Sequence, residues 1–461
     1  MLWGSSLLIY MLLGAGIWFT WSLRAIQLRN FGHMFTVMGS SLKEGDKGIS
    51  PFQALCTSLA ARVGTGNLAG VAVAISLGGP GAIFWMWVIA ILGMATGFVE
   101  STLAQLYKVK DADGNFRGGP AYYIQQGLNK RWLALLFSVC IFFGYGFIFS
   151  GVQANSISDA LNHAYGIEPL SSGVVVALLA AIIVHGGMRS IARFAAYVVP
   201  FMGLAYLAVV AYVIVLNYEL VPGVLYDIIA SAFGFQEAAG GTMGAALMHG
   251  VRRGLYSNEA GAGSVPQAAA AAQPYPPHPV SQGYVQMLGV FIDTLVLCTC
   301  TAVIILLAGY GQSTEMEGVR LTQDALSSHV GAWGVDFIAI AICFFSFTSV
   351  VANYAYAESN LHMFKADNKL CRNIFTISYL LSIVYCSQAV LPVVWAMADM
   401  ALGFMTLINV TAIVMLTGTV VALAKHYHQQ REAGKLPTLN KAEFDAYKGD
   451  IEEGVWVGQN D

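Results

Sequence analysis

Two segments of this sequence combine glycine with polar residues inside long apolar runs, and they are the segments best suited to bind a ligand. The first runs from Leu59 to Gly70 (LAARVGTGNLAG) and the second from Arg252 to Ser264 (RRGLYSNEAGAGS). Glycine disfavours a helix by about 1 kcal/mol relative to alanine. A helix broken at such a segment frees N–H groups, which bind a carboxylate, and carbonyl oxygens, which bind a hard cation.

Plainer interpretations of these segments stay open at this point. The glycines of the first segment could form a nucleotide-binding pattern, although they follow no soluble strand. Gly66 and Gly70 could serve helix packing as a GxxxG pair, and the stretch 257–261 could be an ordinary helix end. The polar Thr65 and Asn67, together with the presence of a second break, favour ligand binding.

Other reactive side chains show no arrangement typical of catalysis. The seven cysteines are scattered through apolar runs, and the closest pair, Cys298 and Cys300, has neither zinc-site nor thioredoxin-like spacing. The nine histidines are dispersed, and no Walker motif occurs. No catalytic residues are predicted, so an integral-membrane enzyme and an ATP-driven pump are both disfavoured.

Several acidic residues lie within or beside apolar runs, where charge is costly. They are Glu100, Asp293, Glu358 and Asp399. Glu100 and Glu358 lie nearer the ends of their spans, where a solvated rim is the commoner explanation. For the four together we expect structural ion pairs and gates rather than proton relays. For Asp399 the expected partner is Arg62, Arg252 or Arg253.

The composition indicates what surrounds the two segments. Of 461 residues, 57% are hydrophobic and only 11% are charged, whereas soluble domains carry about 25% charged residues. A chain of this length with so few charges cannot cover a surface that faces water, so its outer solvent must be lipid. The net charge of −3 gives no indication of a nucleic-acid partner. The sequence therefore predicts an all-α membrane protein.

A search for stretches of about 20 mostly apolar residues predicts eleven transmembrane helices. They lie near residues 2–23, 52–77, 81–106, 132–156, 171–187, 194–216, 240–265, 282–309, 334–358, 373–389 and 391–424. The first has no basic region before it and no cleavage site, so we expect it to remain as a helix of the mature protein.

The positive charges predict the orientation of these spans. If the spans alternate, nineteen of the 23 Lys and Arg residues fall on one side, and Arg320 alone falls on the other. Positive residues concentrate in cytoplasmic loops. We therefore expect a multi-pass protein of a bacterial inner membrane, with a transmembrane domain over residues 1–424, the N-terminus outside, and a cytoplasmic tail over 425–461.

The positions of the two breaks suggest an internal repeat. With the first span set aside, ten remain, and each break falls in the first helix of a group of five. Because five is odd, the two groups would cross the membrane in opposite directions, which predicts inverted halves at about 52–216 and 240–424. Broken helices at matching positions of inverted halves indicate a transporter site near the membrane midplane.

Four motifs carry a family resemblance: ARVGTGNLAGVAVAISLGGPGAIFWMW, RGGPAYYI, GVQANSI and SNEAGAGSVP. They closely resemble the alanine or glycine:cation symporter family, and the resemblance runs in order from about Gln53 to Asn409. It implies sodium-driven uptake of alanine or glycine. It also implies a fold similar to the bacterial leucine transporter with one additional N-terminal helix.

The resemblance further implies two binding sites. A sodium ion would be bound by carbonyls and hydroxyls without any carboxylate, a set that suits a monovalent ion; the residues are Ala60, Val63, Phe345, Thr348 and Ser349, with Asn67 as a further candidate. The substrate carboxylate would meet the N–H groups of Thr65 and Gly66. The rest of the pocket would be formed by Gln153, Tyr256, Ser257 and Asn353.

The sequence departs from the family pattern at Gly97, at Ala262, within 399–404 and at Asn353, and the last of these bears most on the pocket. Most members carry Trp where this sequence has Asn353, and Asn would make the pocket larger and more polar. Glutamine and serine are therefore candidate substrates beside alanine and glycine. Proton coupling through Glu259 or Asp293 remains the alternative to sodium coupling, and an integral-membrane enzyme is a distant alternative.

Overall fold

The computed structural model describes residues 7–40, 48–111, 114–234, 243–310, 318–366 and 368–456. Residues 2–6 of the first predicted span, 240–242 of the seventh and 457–461 of the predicted tail lie outside the described residues. Helices dominate the described chain, beside a hairpin in which Val109 pairs with Arg117.

The first part of the chain contains twelve described α-helices and the hairpin. They are α1 (Leu7–Ser22), α2 (Ile26–Arg29), α3 (Phe31–Ser40), α4 (Pro51–Arg62), α5 (Val71–Gly78), α6 (Gly81–Leu106), β1 (Val109–Lys110), β2 (Phe116–Arg117), α7 (Pro120–Leu128), α8 (Arg131–Phe143), α9 (Ser150–Tyr165), α10 (Pro169–Val184), α11 (Gly187–Leu216) and α12 (Val221–Ala232). Two π-helical turns join them, Gly66–Gly70 before α5 and Gly144–Phe149 before α9.

The second part begins at the other glycine-rich segment. Its helices are α13 (Met243–Asn258), α14 (Pro266–Ala271), α15 (Pro279–Val290), α16 (Thr299–Leu307), α17 (Val319–Val330), α18 (Trp333–Ser359), α19 (Lys369–Cys386), α20 (Leu391–Met415) and α21 (Thr417–Glu432). A π-helical turn (Phe291–Cys298) joins α15 to α16, and a 3₁₀ turn (Leu361–Phe364) follows α18.

Helix length and hydropathy support the predicted membrane class. Among the described residues, six helical segments are long and apolar enough to cross a membrane: Gly81–Leu106, Arg131–Tyr165, Gly187–Leu216, Pro279–Leu307, Trp333–Phe364 and Leu391–Met415. A bent pair, Pro51–Arg62 with Gly66–Gly78, makes a seventh. Shorter apolar helices are α1, α10 and α12. The count of eleven spans and the inverted repeat stay predictions.

Six described α-helices lie in stretches predicted to be loops: α2, α3, α7, α12, α14 and α17. The longest of them, α12 and α17, have 12 residues each. A search for stretches of about 20 apolar residues does not detect helices of this length.

The first break bends the chain by 50° between α4 and α5. The helix ends at Arg62, and Val63 leaves it with φ −78° and ψ 89°. The Asn67 side-chain oxygen accepts a hydrogen bond from the Gly64 N–H at 3.0 Å. A side chain thus satisfies one of the donors that an interrupted helix leaves free.

The second break follows α13, which ends at Asn258. Glu259, Gly261 and Gly263 take positive φ angles of 55°, 96° and 83°. Glycine adopts this left-handed backbone without a steric penalty. Glu259 is held there by Ser264, whose hydroxyl donates to its carboxylate at 2.6 Å.

Side chains from α6 and α20 form hydrogen bonds with the backbone of the second break. Glu100 Oε2 accepts from the Gly261 N–H at 3.3 Å and from Asn409 Nδ2 at 2.9 Å. Asn409 Nδ2 also donates to the Gly261 carbonyl at 2.9 Å. Among the residues that the structure describes, Glu100 therefore forms no ion pair, and it does not lie on the expected solvated rim. It is fully buried, and it binds backbone because the break presents an N–H group at its depth.

The two broken helices are joined at the end of the bundle that carries the chain's final helix, here called the tail end. The Ile49 N–H donates to the Ala271 carbonyl at 3.4 Å, and the Gln273 N–H donates to the Ile49 carbonyl at 3.0 Å. These bonds link Ile49, two residues before α4, to the last residue of α14 and to Gln273 just beyond it. The ends of α4 and α14 that lie away from the breaks are therefore fixed to each other.

The residues after α21 fold back onto the bundle. The Leu439 N–H donates to the Pro277 carbonyl at 3.0 Å, and Trp456 Nε1 donates to the Leu106 carbonyl at 3.1 Å. The side chains that face the bundle are buried: Leu439, Phe444, Ile451 and Trp456. The described part of the tail therefore belongs to the folded body.

Four histidines from three segments meet at this tail end, and we call His33, His278, His426 and His428 the histidine cluster. His278 Nε2 lies 3.2 Å from His426 Nδ1, and His428 Nε2 lies 2.6 Å from the Tyr284 hydroxyl. Burial is the main cause that lowers the pKa of His33 and of His428, each to about 4. The neutral form is thus favoured in the folded protein.

We expect this cluster to make stability fall with acidification. Above pH 6.5 these histidines are neutral in both the folded and the unfolded chain, whereas between 6.5 and about 4 only the unfolded chain binds the protons. The unfolding temperature in detergent should therefore fall by several degrees from about pH 7.5 to about pH 5. His428→Gln, which does not titrate, should show a smaller fall.

His185→Gln is the matched control for this measurement, because His185 is exposed on a loop. This variant should keep the wild-type dependence of unfolding temperature on pH. Identical dependence in His428→Gln and the wild type would contradict a role for the cluster.

Candidate functional site

Oxygen atoms from α4 and α18 meet beside the first break. Ser349 Oγ donates to the Ala60 carbonyl at 2.8 Å and lies 3.1 Å from the Phe345 carbonyl. Thr348 Oγ1 donates to the same Phe345 carbonyl at 2.8 Å. Val63 is the first residue beyond α4 and is buried. The structure thus brings four of the predicted sodium residues together, with Val63 at the edge of the break.

Asn67, the remaining predicted sodium residue, faces a different partner. Its amide nitrogen donates to Asp293 Oδ1 at 2.8 Å. Asp293 Oδ2 accepts from Ser257 Oγ and from Thr294 Oγ1, both at 2.7 Å. Asp293 therefore has neutral donors in place of the predicted ion pair, because both breaks supply amide and hydroxyl groups at its depth. This carboxylate connects the first break with the second.

Thr65 and Gln153 form a second polar contact at the first break. The N–H and the hydroxyl of Thr65 both donate to Gln153 Oε1, at 2.9 and 2.8 Å. Thr65 Oγ1 also lies 3.0 Å from Ser346 Oγ. Ser346 was not among the predicted residues, although it belongs to the polar run FSFTS that supplied Phe345, Thr348 and Ser349.

Space at this contact requires glycine at position 64. A Cβ on Gly64 would lie 2.6 Å from Gln153 Oε1 and closer still to Ser349 Oγ. The Gln153 oxygen that binds Thr65 and the Ser349 hydroxyl of the predicted sodium site therefore lie on either side of the small space beside Gly64.

The two breaks touch at Gly66. A Cβ there would lie 3.1 Å from Ser257 Cα and 3.3 Å from the Tyr256 ring. Tyr256 packs against Trp395 and Phe149, with ring centroids 4.6 and 5.6 Å apart. Trp395 and Phe149 were missed from the sequence because their spans carry no spacing that relates them to the breaks. Together the three rings form an aromatic wall beside the contact.

A cluster of three charged side chains lies against this aromatic wall. Arg253 Nη2 lies 2.7 Å from Asp399 Oδ2, and Arg252 Nη1 lies 3.4 Å from the same oxygen. The Arg253 guanidinium carbon is 4.3 Å from the Trp395 ring centroid. The predicted pairing of Asp399 with Arg252 or Arg253 is confirmed. Arg62, the other candidate, donates instead to the Gln286 carbonyl at 3.4 Å.

A second charged group lies at the tail end of the bundle. Arg117 Nε is 2.9 Å from Asp111 Oδ2, and Arg372 Nε is 3.2 Å from Glu358 Oε1. Arg117 Nη1 is also 3.9 Å from Glu358 Oε2. The ion pair expected for Glu358 is therefore confirmed. All four residues line one cleft, which also reaches Gln267 on the second broken helix.

Asn353 lies one turn beyond Ser349 on α18 and is 1% exposed. In the part of the chain that the structure describes, its side-chain oxygen has no hydrogen-bond partner. Buried acceptors are nearly always paired. This oxygen is therefore available to a bound molecule.

Comparison with known proteins agrees with this geometry. A sequence model of the "Sodium:alanine symporter family" matches residues 1–441. The chain belongs to this family. The "Probable sodium/glutamine symporter GlnT" of Bacillus subtilis is 48% identical over 442 residues, covering 96% of this chain and 91% of that protein. The "Sodium/alanine symporter AgcS" of Methanococcus maripaludis is 36% identical over 441 residues, covering 93% and 96%.

The fold agrees with the family. A crystal structure of MhsT in complex with L-phenylalanine superposes with a TM-score of 0.61 at 14% identity, over 82% of this chain and 93% of that chain. At this identity the likeness concerns the fold alone. The family member described here therefore has the fold of the leucine-transporter type. Its family and relatives are transporters, so it is a transporter and not an enzyme.

The lack of space for a side chain at Gly64 can be tested by substitution in this member of the symporter family. Gly64→Ala should reduce uptake of labelled amino acid by at least about tenfold, since overpacking a filled site displaces its neighbours. The measurement is initial uptake rate in proteoliposomes, normalised to the amount of folded protein. Gly70→Ala is the matched control, because a Cβ there has its nearest neighbours at 3.7 Å. Equal activity in both variants would contradict the tight geometry.

Proposed function

We propose that the protein is a sodium-coupled symporter that imports small neutral amino acids, alanine and glycine first, by alternating access. The observation that carries the proposal is the contact of the two broken helices at Gly66 and Ser257, with the oxygens of Ala60, Phe345 and Ser349 beside it. Half-helix ends at membrane depth supply both N–H groups for a carboxylate and carbonyls for a cation.

The sodium ion would lie at the crossing of α4 and α18. Its ligands would be the carbonyls of Ala60, Val63 and Phe345 and the hydroxyls of Thr348 and Ser349. Their present hydrogen bonds of 2.8 to 3.1 Å support this assignment, because they keep the oxygens close together. A site of neutral oxygens binds a monovalent ion without the charge that would favour a divalent one. Asn67 would support this site from the Asp293 side.

The substrate would lie where the two breaks touch. Its carboxylate would accept from the N–H groups of Thr65 and Gly66, and Gln153 would add a hydrogen bond. Tyr256 would form the wall of the pocket, with Ser257 beside it. The carbonyls freed at the second break would hold the ammonium group, and Asn353 would face the side chain.

Alternating access needs a closure on each side of this site. The Arg253–Asp399 pair, with Trp395 and Tyr256, would close the outer side. The pairs formed by Arg117, Asp111, Glu358 and Arg372 would close the cytoplasmic side. This assignment places the N-terminus outside and the tail in the cytoplasm, in the inner membrane of a bacterium. The inverted halves 52–216 and 240–424 would rock against each other about the shared site.

Sodium entry would provide the driving force. Each Na⁺ that crosses a potential of 100 mV contributes about 2.3 kcal/mol. Coupling requires only that each ligand stabilise the other's site by about 1–3 kcal/mol. The short gap between Ser349 Oγ and Gln153 Oε1, which leaves no room for a Cβ at Gly64, supports such mutual stabilisation.

Glutamine is the second candidate substrate. Asn353 offers a buried acceptor without a partner among the described residues, which would suit a side-chain amide. The relative that is 48% identical is named a probable sodium/glutamine symporter, whereas the one named a sodium/alanine symporter is 36% identical. Serine would make a similar but shorter contact.

The function is tested with purified protein in proteoliposomes. An inward sodium gradient, with equal pH on both sides, should drive accumulation of labelled alanine. Excess unlabelled glycine, serine or glutamine should reduce it, and leucine should not. Uptake that responds to a pH gradient alone would favour the proton-coupled alternative, for which Asp293 and Glu259 are the candidate residues. Inhibition by glutamine alone would reassign the substrate.

The sodium site has its own test in the same assay. Ser349→Ala should raise the sodium concentration for half-maximal uptake by about tenfold, since a lost hydroxyl ligand removes about 1.5 kcal/mol from a charged group's binding. The maximal rate at saturating sodium should change little. Ser382→Ala is the control, because its hydroxyl donates to the Tyr379 carbonyl of its own helix. An unchanged sodium dependence in Ser349→Ala would exclude this residue as a ligand.

A further inference from the structure

Gln153 occupies a position that its role as a pocket residue does not by itself explain. It lies on α9, just beyond the π-helical turn Gly144–Phe149, and is 4% exposed. Its side-chain oxygen accepts two hydrogen bonds, from the N–H and the hydroxyl of Thr65, at 2.9 and 2.8 Å. The same N–H is the donor that the proposed function assigns to the substrate carboxylate.

The orientation of the Gln153 side chain follows from these donors. A backbone N–H can only donate, so the atom that faces Thr65 must be the oxygen of the carboxamide and not its nitrogen. This oxygen lies 2.6 Å from the place where a Gly64 Cβ would be. The Gln153 oxygen therefore lies within the first break, close to the Ser349 hydroxyl that the proposed function assigns to sodium.

We propose that, before substrate binds, the Gln153 carboxamide oxygen occupies the position of the substrate carboxylate, and we call it the stand-in. The substrate displaces this oxygen when it binds. This inference rests on the proposed function. Binding would then be an exchange of acceptors at Thr65: the carboxylate takes the N–H and the hydroxyl, and the carboxamide turns so that its NH₂ donates to the carboxylate. The Thr65 N–H has a partner before and after the exchange, which a peptide group at membrane depth requires.

The exchange makes the site selective for carboxylates over amides. An ionised acceptor forms shorter and stronger hydrogen bonds than a neutral one. A free carboxylate therefore displaces the carboxamide oxygen, whereas an amide such as alaninamide offers an acceptor no better than Gln153 itself. The stand-in selects α-amino carboxylates and rejects their amides, although the two differ little in size.

Gln153→Glu tests this role by making the stand-in permanent. The carboxylate at position 153 should keep both donors of Thr65 and compete with the substrate from within the chain. Alanine uptake should fall at least about a hundredfold, because a substrate without free donors loses its polar contacts. Sodium should still raise the unfolding temperature of this variant, which reports that it is folded and that the ion site is intact.

The same variant should gain a ligand that the wild type does not bind. Ethylamine is alanine without its carboxylate, and with a carboxylate already present at position 153 it supplies the missing ammonium group. In sodium, ethylamine should raise the unfolding temperature of Gln153→Glu and leave that of the wild type unchanged. Methylamine should act in the same way as glycine without its carboxylate.

Gln153→Met provides the converse test, because methionine has similar length and no strong acceptor. The Thr65 N–H then needs no displacement, so amides should bind. The ratio of the inhibition constants of alaninamide and alanine against labelled alanine should fall at least about tenfold from its wild-type value. This ratio compares two ligands of one variant, so a general loss of activity leaves it unchanged.

The outcomes separate the inference from the proposed function. If wild-type protein shows no sodium-driven uptake of alanine or of its competitors, the proposed function fails, and the inference fails with it. If the wild type transports alanine, two results overturn the inference alone: unchanged alanine affinity in Gln153→Glu, or an unchanged alaninamide-to-alanine ratio in Gln153→Met. Should Gln153→Glu fail to fold, the ratio in Gln153→Met decides.

Discussion

A peptide group inside a membrane has no water to pair with, so every N–H or carbonyl that leaves a helix must find a partner within the protein. This constraint governs both breaks. Asn67 takes the Gly64 N–H, and Gln153 takes the Thr65 N–H. Glu100 and Asn409 pair with the two polar groups of Gly261. The breaks exist because buried side chains, from the break itself and from other helices, compensate them.

The same partners tie the two breaks to each other. Asp293 accepts from Asn67 on one side and from Ser257 on the other. Gly66 packs so closely on Ser257 that a Cβ there would lie 3.1 Å from its Cα, and Ile49, two residues before α4, is hydrogen-bonded to the end of α14. A displacement of one broken helix therefore has to involve the other. Such a linkage is what a carrier that moves two ligands in one cycle requires, since each ligand then acts on the same moving element.

The ion pairs lie at the ends of this arrangement, whereas the carboxylates at its centre, Asp293, Glu100 and Glu259, are hydrogen-bonded to neutral groups. Arg253 and Asp399 lie against the aromatic wall, and Arg372 pairs with Glu358 in the cleft at the tail end. Ion pairs near the ends of spans can gain and lose water as they open, which lowers the cost of breaking them compared with a fully buried pair. The groups assigned to sodium and substrate are mainly neutral hydroxyls, amides and peptide groups.

The sequence by itself determined the membrane class, the family and the positions of both breaks, because these depend on local composition and on ordered motifs. It also predicted Ala60, Phe345, Thr348 and Ser349 as one group, since the family resemblance placed them in two short runs. Only the tertiary structure decided that Thr65 pairs with Gln153, that Asp293 joins Asn67 to Ser257, and that Trp395 and Phe149 flank Tyr256. The physical reason is that these residues lie far apart along the chain. Their meeting depends on how helices cross in space, and neither helical periodicity nor motif order encodes such crossings.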